Sequence, residues 1–160
     1  MTDEQRTQAY LELIQALVSC PDGEEPNILQ VHQELLDETF AEMLQEWALQ
    51  TATKYPEKRE AIANILGNLC IHIKEFPLGR HSNNLEVAIK GYNTVLNRFS
   101  GEVSPQDWAG ICCNLAAAYC ERIKGDKAEN VEIAIAACNQ ALQIYTREAL
   151  PPSWAINQNY

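Results

Sequence analysis

The chain repeats itself. Displaced by 46 residues, NLCIHIKEFPLGRHSNNLEVAI (residues 68–89) falls without a gap on NLAAAYCERIKGDKAENVEIAI (residues 114–135). Asn68, Leu69, Glu75, Gly79, Asn84, Glu86, Ala88 and Ile89 meet identical residues. The register persists where Asn93, Leu96, Glu102, Pro105, Trp108 and Ala109 meet Asn139, Leu142, Glu148, Pro151, Trp154 and Ala155. A period of this length marks one supersecondary unit used in series, each copy burying its apolar face against the next because it cannot bury that face alone. The copies therefore have to stack.

Apolar residues recur at helical spacing along almost the whole chain and no stretch alternates with period two, which predicts an all-α fold. A first helix over residues 3–19 places Tyr10, Leu11, Ile14, Leu17 and Val18 on one side and stops at CPDGEEP, where Pro21, Asp22 and Gly23 supply turn chemistry. A short helix from Pro26 carries Ile28, Val31 and Leu35. Residues 38–53 bring Phe40, Met43, Leu44, Trp47 and Ala48 together ahead of Pro56, and residues 57–75 carry Ile62, Ile65, Leu66, Leu69, Ile71 and Ile73 ahead of Pro77 and Gly79. Each repeat unit then reads as helix, loop of about ten residues, helix. The loops end at Asn84 and Asn130 as caps of the second helices, with Glu86 and Glu132 in the first turn where the helix dipole favours them. Ser104, Pro105 and Asp107 start a further helix, as do Pro151, Pro152 and Ser153. The expected organisation is an acidic helical segment over residues 1–55 packed on repeat units over 56–100, 105–148 and, as a partial third, 151–160, all in one continuous domain.

Composition narrows the partners. Residues 1–66 carry −9 of the net charge of −10, and no Lys/Arg cluster offers the basic stripe that phosphate backbones require. Nucleic acid and anionic membranes are poor partners. The acidic row of Glu24, Glu25, Glu34, Asp37, Glu38, Glu42 and Glu46 reads as solvated surface before it reads as a site for a basic partner. No apolar run approaches the roughly 20 residues of a membrane span, and MTDEQRTQAYLEL lacks the character of a secretory signal, so a cytoplasmic location is expected.

The stretch CCNLAAAYC, residues 112–120, raises the question of chemistry. Cys20, Cys70, Cys112, Cys113, Cys120 and Cys138 form no Cys-x-x-Cys pair, and free thiols are the default. Cys112 and Cys113 point about 100° apart on a helix, and Cys113 and Cys120 lie two turns apart, roughly 10 Å, so they do not converge on one ion. Across the repeat Cys70 meets Ala116 and Cys138 meets Tyr92, the exchange expected of packing positions. His72 is a flank residue, and His32 and His81 read as exposed; no GxGxxG, Walker or HExxH pattern is present. The expectation is therefore no enzyme, no metal and no cofactor. A thiol-dependent redox sensor or enzyme built on Cys112, Cys113 or Cys120 is the alternative.

The pattern Leu115-Ala116-x-x-Tyr119, then Ala134, Cys138 and Ala141-Leu142, resembles the tetratricopeptide (TPR) repeat, which carries Leu-Gly-x-x-Tyr, Ala, an aromatic and Ala at those places; the preceding copy has Leu69-Cys70-x-x-Ile73, Ala88, Tyr92 and Val95-Leu96. The usual TPR period is about 34 residues. Here Ala116 to Ala134 spans 18 residues and Val95 to Cys112 spans 17, so both connections between helices have grown by similar amounts. A 46-residue version with Gly125-Asp126-x-Ala128-Glu129-Asn130 between its helices is similar to repeats of cyanobacterial proteins that end in a CHAT, caspase-like peptidase domain, and residues 10–40 resemble the N-terminal segment of such proteins. No CHAT domain fits in the chain, and Cys138 lacks the Gln-Ala-Cys-x-Gly context of a caspase-like nucleophile.

The resemblance implies a right-handed superhelix of stacked helical hairpins that binds a protein or peptide on its concave surface, with a regulatory role beside a CHAT-type peptidase. It assigns the inward positions to the first helices: Asn64, Gly67, Asn68, Ile71, Lys74 and Glu75, then Gly110, Cys113, Asn114, Ala117, Cys120 and Glu121, with Asn159 opening the next row. Asn68 and Asn114 are placed to clamp an extended backbone, or else to hydrogen-bond a neighbouring helix. Lys74 is the single inward cation, so a clamp for a peptide carboxylate is not expected. Trp108 and Trp154 read as wedges between units. Residues 151–160, with Trp154 and Ile156 and no partner helix, are expected either to belong to a longer array, to cap the bundle, or to seed a homodimer through the C-terminal edge.

Overall fold

The structure, a computed structural model, describes residues 1–147, so the expectations on Trp154, Ile156 and Asn159 lie outside the described residues. Within them the chain is all helical: α1 (Asp3–Ser19), α2 (Glu25–Val31), α3 (Glu38–Lys54), α4 (Arg59–Glu75), α5 (His81–Arg98), α6 (Pro105–Glu121) and α7 (Lys127–Arg147), with short 3-10 turns at Gln33–Leu35 and Pro56–Lys58 and no strand among the described residues.

The helix ends follow from local chemistry. Thr2 and Gln5 form a reciprocal box at the start of α1, the Gln5 amide donating to Thr2 Oγ1 at 3.2 Å and the Thr2 amide to Gln5 Oε1 at 2.9 Å. Gly23, with φ of 94°, turns the chain after α1 where a side chain would be strained. Asp37 caps α3 by accepting the Phe40 amide at 2.9 Å, and Ser104 caps α6 by accepting the Asp107 amide at 3.1 Å, with Pro105 in the first helical position.

Asp37 also ties the N-terminal segment together. Its Oδ2 accepts from Tyr10 Oη at 2.5 Å and from Arg6 at 2.9 Å, joining α1 to the head of α3. Burial of the carboxyl acts to raise its pKa, but the hydrogen bonds from Tyr10, the Phe40 amide and Arg6 outweigh it and hold the group below the usual carboxylate range.

One hydrophobic core runs from Tyr10, Leu13, Ile14 and Leu17 of α1 through Phe40, Leu44, Leu66, Leu85 and Tyr92 to Ala134 and Ala137 of α7. Helix α3 lies on α5, α1 and α2 touch α4, and α5 lies on α6. Two expected core residues are outside it: Leu11 is 48% exposed and Val31 71%, because α1 turns Leu13 inward and the short α2 buries Leu29 instead.

The pairs α4–α5 and α6–α7 are helical hairpins whose first helices, Arg59–Glu75 and Pro105–Glu121, are both 17 residues long and start 46 residues apart; α5 and α7 start at the same offset. Their turns, residues 76–80 and 122–126, are five residues long, shorter than the expected ten, so most of each hairpin is helix.

This corrects the reading of Asn84 and Asn130 as caps. Both lie inside the first turns of α5 and α7 and are buried, at 0% and 3% exposure. Asn84 Nδ2 donates back across the turn to the Leu78 carbonyl at 3.0 Å, and Asn130 Nδ2 to the Lys124 carbonyl at 2.9 Å. The turns that they clamp pass through Gly79 and Gly125 at φ of 77° and 80°. Asp126 is the residue that caps α7, accepting the Glu129 amide at 2.9 Å.

Between the hairpins, Arg122 at the end of α6 grips Glu86 of α5 through two hydrogen bonds of 2.8 and 3.1 Å, and donates to Asn130 Oδ1 at 3.2 Å. Trp108 packs with Leu96 and Ile144 around Ala109, Cys112 and Ala141, where the ends of α5 and α7 meet the start of α6. The expected wedge position of Trp108 corresponds to this contact.

Candidate functional site

Helices α4 and α6 run side by side and leave a hollow of about 400 Å³ between them. Its α4 wall is Asn64, Asn68 and Ile71, at offsets of four and three residues on one helix face, above Ala63 and Gly67. Its α6 wall is Gln106, Asp107, Gly110 and Asn114, with Ile111 between the two. The floor is low because Gly67 lacks a side chain: a Cβ there would lie in ordinary contact, 3.7 Å, with Ile111 Cδ1. A Cβ on Gly110 would meet nothing within 4 Å, so the α6 side opens outward.

Of the expected inward residues, Asn64, Gly67, Asn68, Ile71, Gly110 and Asn114 converge on this hollow. Asn64 and Asn68 are exposed and Asn114 is half-buried. Their amides make no hydrogen bond to any described residue, unlike those of Asn84 and Asn130, which the turns consume. Three neutral amides with free donors and acceptors thus border an apolar, small-residue floor. Such a set matches the alternating N–H and C=O groups of an extended backbone, and the floor matches small side chains.

The other expected positions fall elsewhere. Lys74 is engaged with Glu121, Nζ to Oε2 at 3.5 Å, and His81 lies 3.9 Å from the same carboxylate, so the inward cation is neutralised across the end of the α4–α6 pair. Ala117, Cys113 and Cys120 are exposed and do not line the hollow. The sequence reading missed Gln106 and Asp107; the signal was the capping sequence at Ser104, which places both in the first turn of α6, beside the groove mouth.

The cysteines divide. Cys70 and Cys112 are fully buried, Cys113, Cys120 and Cys138 are exposed, and Cys20 is intermediate, so packing accounts for two of the six and part of a third. Burial pushes the Cys70 thiol up to about 12 and the Cys112 thiol up to about 11, and desolvation by neighbouring helices raises Cys113 as well. A thiol raised in this way is a weak nucleophile at neutral pH. The described residues contain no group of three or more His, Cys, Asp or Glu side chains placed to hold a metal ion. Cys112 faces inward and Cys113 outward, as their helical offset requires.

His72 lies 3.9 Å from Glu25 Oε2, on the flank of α4 against α2, with no cysteine partner. His32, expected at the surface, is half-buried beside the 3-10 turn. A second hollow, of about 460 Å³ among Arg6, Glu34, Asp37, Arg80 and their neighbours, has its central pair, Arg6 and Asp37, already joined at 2.9 Å. No described helix is long and apolar enough to cross a membrane.

Comparison with protein-family models, with curated proteins and with solved structures finds no significant match.

Proposed function

We propose that the chain is a non-enzymatic, TPR-like binding module that holds an extended peptide segment of a protein partner in the groove between α4 and α6, in the cytoplasm. The observation that carries this reading is the convergence of Asn64, Asn68 and Asn114, with unengaged amides, on a floor of Ala63, Gly67 and Ile111. Each amide gives one backbone group of the peptide a partner, and Gly67 and Gly110 leave room for small apolar side chains between them. Lys74, held by Glu121, supports recognition of a peptide interior over recognition of its terminal carboxylate. A right-handed superhelix, and a regulatory role beside a CHAT-type peptidase, rest on the sequence resemblance alone.

Selection of random ten-residue peptides displayed on phage tests the reading. Selected peptides should lose about tenfold or more in affinity for the double variant Asn68→Ala/Asn114→Ala, since two hydrogen bonds of about 1 kcal/mol each disappear. Peptides that bind the double variant equally well, or a selection that yields no binder, would remove the groove as the site.

A further inference from the structure

A further hollow, of about 230 Å³, lies where α3 meets α5, lined by Gln45, Lys90, Asn93, Thr94, Asn97 and Arg98. It shares no residue with the α4–α6 groove. Its five α5 residues fall on one face of that helix, at offsets of three, four, seven and eight from Lys90. Thr94, 2% exposed, forms the back: its hydroxyl donates to the Lys90 carbonyl at 2.8 Å and accepts from Gln45 Nε2 at 2.9 Å, which ties α3 to α5. The remaining α5 groups are unspent. Lys90 is half-buried and Arg98 exposed, and the side chains of Lys90, Asn93, Asn97 and Arg98 make no hydrogen bond or ion pair with any described residue. By contrast, Arg6, Arg59, Lys74 and Arg122 each have a carboxylate within 3.5 Å.

Two features set this hollow apart from ordinary solvated helix surface. Its lining holds two cations and no carboxylate, in a chain with 22 Asp and Glu against 12 Lys and Arg, so its sign opposes that of the chain. The repeat, moreover, does not need these cations. At the 46-residue offset Asn93 and Asn97 become Asn139 and Gln143, which keep an amide, whereas Lys90 and Arg98 become Ala136 and Ile144, which carry no charge. The cations stand on the copy that packs against α3. We propose that this hollow docks an acidic, extended segment of a protein partner, with carboxylates on Lys90 and Arg98 and the amides of Asn93 and Asn97 on the backbone between them. Eight residues of helix separate the two cations by roughly 12 Å. In an extended chain residues i and i+4 project from one face about 13 Å apart, so acidic side chains four residues apart meet both cations. Such a spacing suits two anionic groups on one chain better than a single oxyanion, and the charge complementarity gives the contact its selectivity.

The test is an NMR titration of the full 160-residue chain at low ionic strength with the end-blocked peptide Glu-Ser-Thr-Ser-Glu and its counterpart with Gln at both ends. The side-chain amides of Asn93 and Asn97 should shift saturably with the Glu peptide, and the Gln peptide should bind about tenfold more weakly, since each exposed charge pair contributes up to a few-fold. Lys90→Gln/Arg98→Gln should lose the same factor while unfolding in urea like the wild type. Lys124→Gln/Lys127→Gln, which removes equal charge near the start of α7, should leave binding unchanged. Equal binding by the Lys90→Gln/Arg98→Gln variant, no saturable shift at Asn93 and Asn97, or equal weakening by both double variants, which would reduce the effect to net charge, would overturn the proposal. So would displacement of the Glu peptide by millimolar inorganic phosphate, which would assign the hollow to a small oxyanion.

Discussion

The approach of α4 to α5 offers a pair of compensating substitutions. Gly91 of α5 lies beneath Cys70 of α4, and a Cβ added at Gly91 would overlap Cys70 Sγ and stand 3.4 Å from Cys70 Cβ. In the second hairpin the equivalent residues are Ala116 and Ala137, each 4% exposed. The first contact sets a thiol over bare backbone, whereas the equivalent positions of the second hairpin both carry methyl groups. Gly91→Ala alone forces Cys70 aside in a fully buried site, costing roughly 1–3 kcal/mol through overpacking. The better helix propensity of alanine offsets about 1 kcal/mol of that. Cys70→Ala alone leaves a gap of about a methyl group and costs about 1 kcal/mol. Together the two rebuild the alanine pair of the second hairpin, so the double variant should equal or slightly exceed the wild type, with a coupling of about 2–3 kcal/mol. Urea unfolding followed by far-UV circular dichroism measures the four proteins. Losses that simply add would refute the equivalence of the two contacts, and with it the reading of the hairpins as one unit used twice.

Asn84→Ala removes the buried amide that donates to the Leu78 carbonyl and should lower stability by about 1–3 kcal/mol. Asn68→Ala, at the exposed groove wall, should change it by less than about 0.5 kcal/mol in the same unfolding assay. The depressed pKa of Asp37 stabilises the fold above the pKa of an unfolded carboxylate, about 4, and that contribution is lost as pH falls through the lower folded-state value. Asp37→Asn should therefore be clearly less stable than the wild type near pH 7, and the gap should narrow below about pH 4 in unfolding experiments at the two pH values. Thiol titration of the native protein near neutral pH should find Cys113 and Cys120 accessible and leave Cys70 and Cys112 unlabelled until the chain unfolds.

The helical class and the ends of α1, α3 and α6 are legible in the sequence because their signals are local: Pro21 and Gly23 stop α1, and Asp37 and Ser104 supply side-chain oxygens at the heads of α3 and α6. Asn84 and Asn130 are not legible in the same way. A short amide near a helix start suits a cap and a turn clamp equally, and only their burial, at 0% and 3%, separates the two. Tertiary packing also decides which cysteines are covered: Cys112 and Cys113 are neighbours in one pattern, yet one is sealed against Ala141 and the other is open. At the groove, periodicity and resemblance together place Asn64, Asn68, Ile71 and Asn114 on facing helices, while the Lys74–Glu121 pair, which depends on how α4 and α6 end beside each other, is invisible without coordinates. Gly91 carries no sequence signal of its own, since its need for a bare backbone comes from the thiol of another helix.

The claim that the α4–α6 groove holds an extended peptide is tested most directly by the side-chain amide resonances of asparagine in an NMR titration with a selected peptide. The amides of Asn64, Asn68 and Asn114 should shift together as the peptide binds, while those of Asn84 and Asn130, committed to the turn carbonyls, stay in place. Shifts confined to residues outside α4 and α6, with Asn68 and Asn114 unmoved at saturation, would contradict it.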